Sequence, residues 1–278
     1  MRIARVKKDG NIGLAAKNGD VVTIAYGTEV ADLDAHIAAG TLAAAGAKAL
    51  AGEAVAETDL TFFPLATLPS KIICLGLNYR DHAEEAGLGI PECPVLFARF
   101  PSSLIGHNAP IILPKVSDQL DWEAELVVVL SKGGKNIAEA DALNHVAGYS
   151  VFNDASIRDY QMKTPQWTAG KNFDDTGAIG PWLVTPDELP AGAAGLKIEC
   201  RLDGSIWLFL GQCAGFPAAR QSGGQSHRNW TSARCAGCRE WPAFAPRPRH
   251  RCIATESPTP DCRFPEYLPN APAADKSR

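Results

Sequence analysis

The sequence predicts an α+β chain that is mainly β, with a small β-rich unit over residues 1–68 and a larger mixed-β block after it. Three observations point there. Short alternating runs at residues 3–6, 12–15 and 20–24 are separated by Asp9-Gly10 and Asn18-Gly19, pairs that favour tight hairpin turns. From Lys71 onward short β-branched runs follow one another, most of them too close together for a crossover helix between them. Helical composition gathers mainly in one Ala-rich stretch, residues 33–56.

Taken in order, the elements follow from these signals. The three alternating runs predict strands of one small sheet, and the Ala-rich stretch predicts helix above it. Pro64 and Pro69 then punctuate the chain, which places a boundary near residue 68. Strands are expected at 71–76, 94–97, 111–113, 123–130 and 146–152. Lys132-Gly133-Gly134-Lys135 predicts a hairpin between the last two of these, and 138–145 and 155–162 each have room for a short helix. The catalytic-looking block is expected to run from 69 to 205.

The chain has 278 residues with 46% apolar content, enough for a sizeable core without disulfides or a structural metal. Eight scattered cysteines in a chain of this size, without a secretory signal, read as reduced thiols. No uncharged apolar run approaches membrane-spanning length, so the expectation is a cytoplasmic protein with no membrane partner. A net charge of -4 argues against a general polyanion binder, and no nucleic-acid partner is expected.

The chemistry concentrates around Asp121-Trp122-Glu123-Ala124-Glu125-Leu126. In a strand, residues two apart project from one face, so Glu123 and Glu125 point the same way. Two carboxylates that close repel unless a proton or a cation compensates, and a hard divalent ion does so economically; the plain alternative has both facing water. Asp154, at the tip of the buried-looking run 146–153, offers a third oxygen donor, and three carboxylates suit Mg²⁺ or Mn²⁺. Upstream, His82 and Glu85 stand three apart just after a strand, a spacing that lets a carboxylate fix and activate an imidazole as general base; the same pair also reads as an ordinary surface pair. Gly87 and Gly89 would let that segment move as a lid. Lys171, in a Gly- and Trp-flanked turn, could neutralise a substrate carboxylate or a developing enolate, or simply face solvent.

Four ordered segments together resemble the fumarylacetoacetate hydrolase (fumarylacetoacetase) family. They are Lys71-Ile72-Ile73-Cys74-Leu75-Gly76-Leu77-Asn78-Tyr79-Arg80-Asp81-His82, Asp121 to Leu126, Gly148 to Gln161, and Gly170-Lys171-Asn172-Phe173-Asp174 with Gly180-Pro181-Trp182. The resemblance covers roughly residues 70–204, about half the chain. It implies a mixed β-roll catalytic domain behind a small N-terminal domain, and a homodimer. It implies that Glu123, Glu125 and Asp154 hold Mg²⁺ or Mn²⁺ and that a 2-oxo or diketo acid chelates the ion. By the same resemblance His82 with Glu85 activates water, Lys171 serves in catalysis and substrate binding, and Asn78, Tyr79, Arg158 and Gln161 contact substrate. The implied reaction is hydrolysis of a carbon–carbon bond in an acylpyruvate- or fumarylpyruvate-type diketo acid. Decarboxylases, isomerases and hydratases share the motifs.

The pattern breaks after about residue 204. Residues 1–204 carry 17 basic and 26 acidic side chains, whereas 205–278 carry 10 and 5. The polar turn, helix and Thr-Gly-Thr-Pro loop that the resemblance implies next are missing. An Arg-, Pro- and Cys-rich stretch stands in their place, which reads as out-of-frame translation and would leave an incomplete catalytic domain or an inactive remnant. A zinc module built on Cys235, Cys238, His250, Cys252 and Cys262 is the competing reading, but beyond one CxxC the spacing is irregular.

Overall fold

The computed structural model describes residues 1–76, 93–196, 198–202, 205–210 and 231–232. It opens with β1 (Arg2–Lys8), β2 (Asn11–Asn18) and β3 (Val21–Tyr26), followed by α1 (Leu33–Ala39), α2 (Leu42–Leu50), β4 (Glu53–Val55) and β5 (Thr61–Phe62). Both predicted hairpins form. Asp9 (φ 48°) and Gly10 (φ 85°) close the first, and Gly19 (φ 58°) supplies the left-handed residue of the second. The Ala-rich stretch is two helices rather than one, because Gly40 adopts φ 69° and caps α1; its end, at residues 53–55, pairs as a strand with β3.

The larger block contributes β6 (Ile72–Gly76), β7 (Val95–Arg99), β8 (Leu104–Ile105), β9 (Leu120–Asp121), β10 (Ala124–Leu130), β11 (Val146–Asp154) and β12 (Ser156–Ile157). Two one-turn helices come next, α3 (Arg158–Gln161) and α4 (Thr168–Lys171). After them lie β13 (Gly177–Ile179), β14 (Leu183–Val184), β15 (Ile198–Leu202), β16 (Ser205–Leu210) and β17 (Thr231–Ser232). The main sheet runs β4-β3-β2-β1-β14-β11-β10-β17-β6-β7, with β5 on β1, β13 on β11 and β8 on β13. Because β1 pairs with β14 through Arg2↔Val184 and Ile3↔Leu183, residues on both sides of position 68 share one sheet. One apolar cluster likewise joins Ile3, Leu14 and Leu33 to Phe97, Val127 and Leu183.

Two sequence expectations are corrected. Residues 111–113 are no strand: Pro110 and Pro114 flank them, and Ile112 N makes a single backbone bond to Asp175 O, 3.0 Å. β10 and β11 do pair antiparallel, but through a long connection whose last part is a 3₁₀ helix, Glu139–His145, instead of a tight turn at Lys132-Gly133-Gly134-Lys135.

β10 positions the site. It is buried from Glu125 to Val129, and its alternate residues face two cores, Val127 and Val129 one, Leu126 and Val128 the other. Glu125 shares the phase of Val127, so a carboxylate is carried into the interior by the strand's own periodicity. On β11, Asp154 stands in phase with buried Phe152. Burying apolar side chains on this scale, at about 25 cal/mol per Å², offsets the cost of holding charges inside.

Candidate metal centre

Glu123, Glu125 and Asp154 converge. One carboxylate oxygen from each lies within 4.8 Å of the others, and all three residues are buried. Local pairing explains the convergence. Ala124 pairs with Asn153 and Glu125 with Phe152, Asp154 N donates to Glu123 O (2.8 Å), and Glu123 N donates to Asn153 Oδ1 (3.1 Å). The ladder is thereby extended one residue before β10 begins, and the two strand ends deliver their acids to one place.

Three cations answer these acids. Lys171, with no exposed surface, donates from Nζ to Glu123 Oε2 (2.7 Å) and to Asp154 Oδ2 (2.8 Å). Arg99, equally buried, donates from Nη1 to Asp154 Oδ1 (2.6 Å). Arg158 donates from Nη1 to Glu123 Oε1 and to Gln161 Oε1, both 2.7 Å, and from Nε to Asp121 Oδ2 (2.9 Å). Ser156 Oγ is 2.9 Å from Asp154 O and 3.4 Å from Glu123 Oε1. Desolvating this many charges is costly, and only mutual pairing with satisfied hydrogen bonds makes it tolerable.

The supports are tertiary. Asn172 Nδ2 donates to Ala98 O and Thr168 O, both 2.9 Å, while its Oδ1 accepts from Phe100 N (2.6 Å); this fastens the turn bearing Lys171 to the end of β7. Gly170 lets α4 lie on α3, since a Cβ there would come 2.3 Å from Gln161 N. Trp167 packs edge-on to Phe97 at 5.6 Å, and Phe97 in turn lies under Lys171 Nζ, 5.0 Å from the ring centre.

Of the residues singled out from sequence, the structure brings together Glu123, Glu125, Asp154, Lys171, Arg158 and Gln161. Lys171 is wholly buried, which removes the solvent-facing alternative for it. Asn78, Tyr79, His82, Glu85 and the glycines of the expected lid lie outside the described residues, as do the cysteines and histidine of the zinc reading. Sequence reasoning missed Arg99. Its signal was available: in Val95-Leu96-Phe97-Ala98-Arg99, Arg99 occupies the same strand phase as Phe97, so a guanidinium stands where an apolar side chain is expected.

The carboxylate set fits a hard divalent ion: three acids with oxygens within reach of one centre, in an oxygen-only donor set. A family model described as fumarylacetoacetate (FAA) hydrolase C-terminal matches residues 71–207, ending close to where the composition changes. The mitochondrial oxaloacetate tautomerase Fahd2a of Rattus norvegicus is 44% identical over 153 residues, 55% of this chain and 49% of that protein. The human mitochondrial oxaloacetate tautomerase FAHD2A is 43% identical over 152 residues, 54% of this chain and 48% of its own. The chain therefore spans about half the length of the curated relatives it matches. Among solved structures, a Mycobacterium smegmatis protein provisionally named HpcE superposes with a TM-score of 0.58 at 35% identity, over 74% of each chain. Among the described residues, no helix is long and apolar enough to cross a membrane. With its ordered motifs, its mainly-β fold and these relatives, the chain belongs to the fumarylacetoacetate hydrolase family.

Proposed function

We propose that this chain is a divalent-metal enzyme that interconverts the keto and enol forms of a 2-oxo dicarboxylic acid, with oxaloacetate the first substrate to test. The observation that carries it is the convergence of three buried carboxylates, Glu123, Glu125 and Asp154, with one oxygen of each within 4.8 Å of the others. A divalent ion held by three acids, with Lys171 beside two of them, suits an anionic oxygen ligand.

Glu123, Glu125 and Asp154 would hold Mg²⁺ or Mn²⁺, which when bound supplies chelation of the 2-oxo-carboxylate and polarisation of its carbonyl. Lys171 bridges two of those acids and, already fixed by two short bonds, needs little reorganisation to stabilise an enolate oxygen beside them. Gln161, held by Arg158, orients a neutral amide toward the same region and suits a substrate carbonyl or hydroxyl. The name of the 44% identical rat relative, an oxaloacetate tautomerase, favours enolisation as the reaction.

A second reading is hydrolysis of a diketo acid at a carbon–carbon bond, carried by the His82 and Glu85 spacing, which would supply activated water. Decarboxylation would use the same enolate chemistry. The expected assembly is a homodimer. Enol absorbance, carbon dioxide release and pyruvate release, followed on oxaloacetate and on acylpyruvates with added Mg²⁺ or Mn²⁺, separate the three. Faster loss of the enol signal without either product supports tautomerisation. Pyruvate from an acylpyruvate supports hydrolysis instead, and no metal-dependent change on any of these substrates rejects the proposal.

A further inference from the structure

The arginines divide the oxygens of two carboxylates. Asp154 gives Oδ1 to Arg99 and Oδ2 to Lys171; Glu123 gives Oε1 to Arg158 and Oε2 to Lys171. In each acid one oxygen is tied back to a guanidinium, and the other meets its counterpart at a shared centre marked by Lys171 Nζ. The same partition arises twice, from arginines on unrelated elements, β7 and α3.

Arg99 is not free to let go. Its Nε donates to Ser103 Oγ (3.2 Å), Nη1 also to Ala155 O (3.1 Å), and Nη2 to Thr176 Oγ1 (3.0 Å). Gly177 makes the space, since a Cβ there would lie 2.6 Å from Arg99 Nη2. Phe152 covers the guanidinium, its ring centre 5.1 Å away. Arg158 is held less tightly, with a side chain 15% exposed, but its ion pairs with Asp121 and Glu123 fix its direction.

A carboxylate oxygen that accepts one N–H bond keeps a second acceptor position, but a guanidinium fixed on it holds the carboxylate in one orientation. That orientation favours offering a cation the other oxygen over chelation through both. That restriction discriminates between ions. Mg²⁺ takes a small octahedral shell and keeps several waters, whereas Ca²⁺ fills a larger shell of about six to eight oxygens and draws on carboxylates that can chelate with both.

We infer that Arg99 and Arg158 form a clamp that holds Asp154 and Glu123 to one oxygen each and thereby selects Mg²⁺ or Mn²⁺ against Ca²⁺. The inference rests on the metal-binding reading above and adds to it a source of ion selectivity. Both arginines act through the carboxylates, so they are positioning residues.

The test is calorimetric titration of the full chain with Mn²⁺ and, separately, Ca²⁺. It compares wild type with Arg158→Lys and Arg99→Lys, which keep the charge but lose the planar fork. The clamp predicts that wild type prefers Mn²⁺ and that either substitution lowers the ratio of Ca²⁺ to Mn²⁺ dissociation constants by roughly fivefold or more. Arg158 is partly exposed, so Arg158→Lys keeps the comparison decisive if Arg99→Lys does not fold. Wild type that binds Mn²⁺ with a ratio unchanged in a folded variant overturns the clamp alone. Wild type that binds neither ion overturns the metal reading beneath it as well.

Discussion

Arg99 and Asp154 form a fully buried ion pair, Nη1 to Oδ1 at 2.6 Å, between residues 55 positions apart in the chain. It joins the end of β7 to the tip of β11, and it fixes which oxygen of Asp154 faces the candidate centre. Removing the guanidinium while leaving the acid inside would strand a buried charge. Arg99→Met is expected to cost about 3–5 kcal/mol in denaturant unfolding. A loss below about 1 kcal/mol would show that the pair carries little of the fold's stability.

Gly177 tests the same pair by shape alone. A methyl group added there meets Arg99 Nη2 at 2.6 Å and the Phe152 ring at 2.9 Å, and both neighbours are buried. Gly177→Ala should destabilise by about 1–3 kcal/mol through overpacking and lower Mn²⁺ affinity by displacing Asp154's partner. Unchanged melting temperature and unchanged Mn²⁺ titration would together contradict this account.

Glu123→Ala removes one of three oxygen donors, and it frees both Lys171 and Arg158 from an acidic partner. Affinity for Mg²⁺ and Mn²⁺ should fall by about tenfold or more, and turnover should be lost with it. If metal binding and turnover both survived unchanged, the proposed metal centre would be wrong.

Lys171→Met separates the two jobs of the ammonium. Without metal, the variant leaves buried Glu123 and Asp154 without the ammonium they share, so it should be about 3–5 kcal/mol less stable than wild type. Saturating Mn²⁺ should return much of that loss while activity stays absent, because the ion replaces the buried charge but not the ammonium that stabilises the enolate oxygen. Thermal melts with and without the ion read this directly; a loss that Mn²⁺ leaves untouched would refute it.

His107 supplies a pH dependence away from the site. Its pKa is lowered, chiefly because burial penalises the imidazolium and despite an opposing pull from Glu57; its ring lies edge-on to Phe62 at 5.5 Å. A histidine with a depressed folded pKa binds its proton more readily when unfolded. Stability should therefore decline as the pH drops below the ordinary histidine value of about 6.5, and hold above it. His107→Gln should flatten that part of the pH–stability curve, and a curve of identical slope in the variant would assign the effect to other groups.

Much of the site was legible in the sequence because its acids obey strand periodicity. Glu123 and Glu125, two apart at the head of a β-branched run, had to project together, and Asp154 had to emerge at the tip of the next strand. The hairpins at Asp9-Gly10 and Asn18-Gly19 were equally readable, since the turn conformation depends on the residues in it. Residues 111–113 show where such reasoning fails. Their composition is that of a strand, but prolines on both sides leave no partner ladder to join.

What the sequence determined by itself, then, was the mainly-β character, the turns and the positions of the acids on their strands, all fixed by local patterns. Only the tertiary structure decided that β1 joins β14 so that one sheet runs through both parts of the chain, that Lys171 is buried, and that Arg99 holds Asp154 from behind. These relationships link positions 17 to 182 residues apart, across separations that carry no local periodicity. They are chosen by the requirement that each buried charge and each strand edge find a partner, a condition that applies to the folded whole.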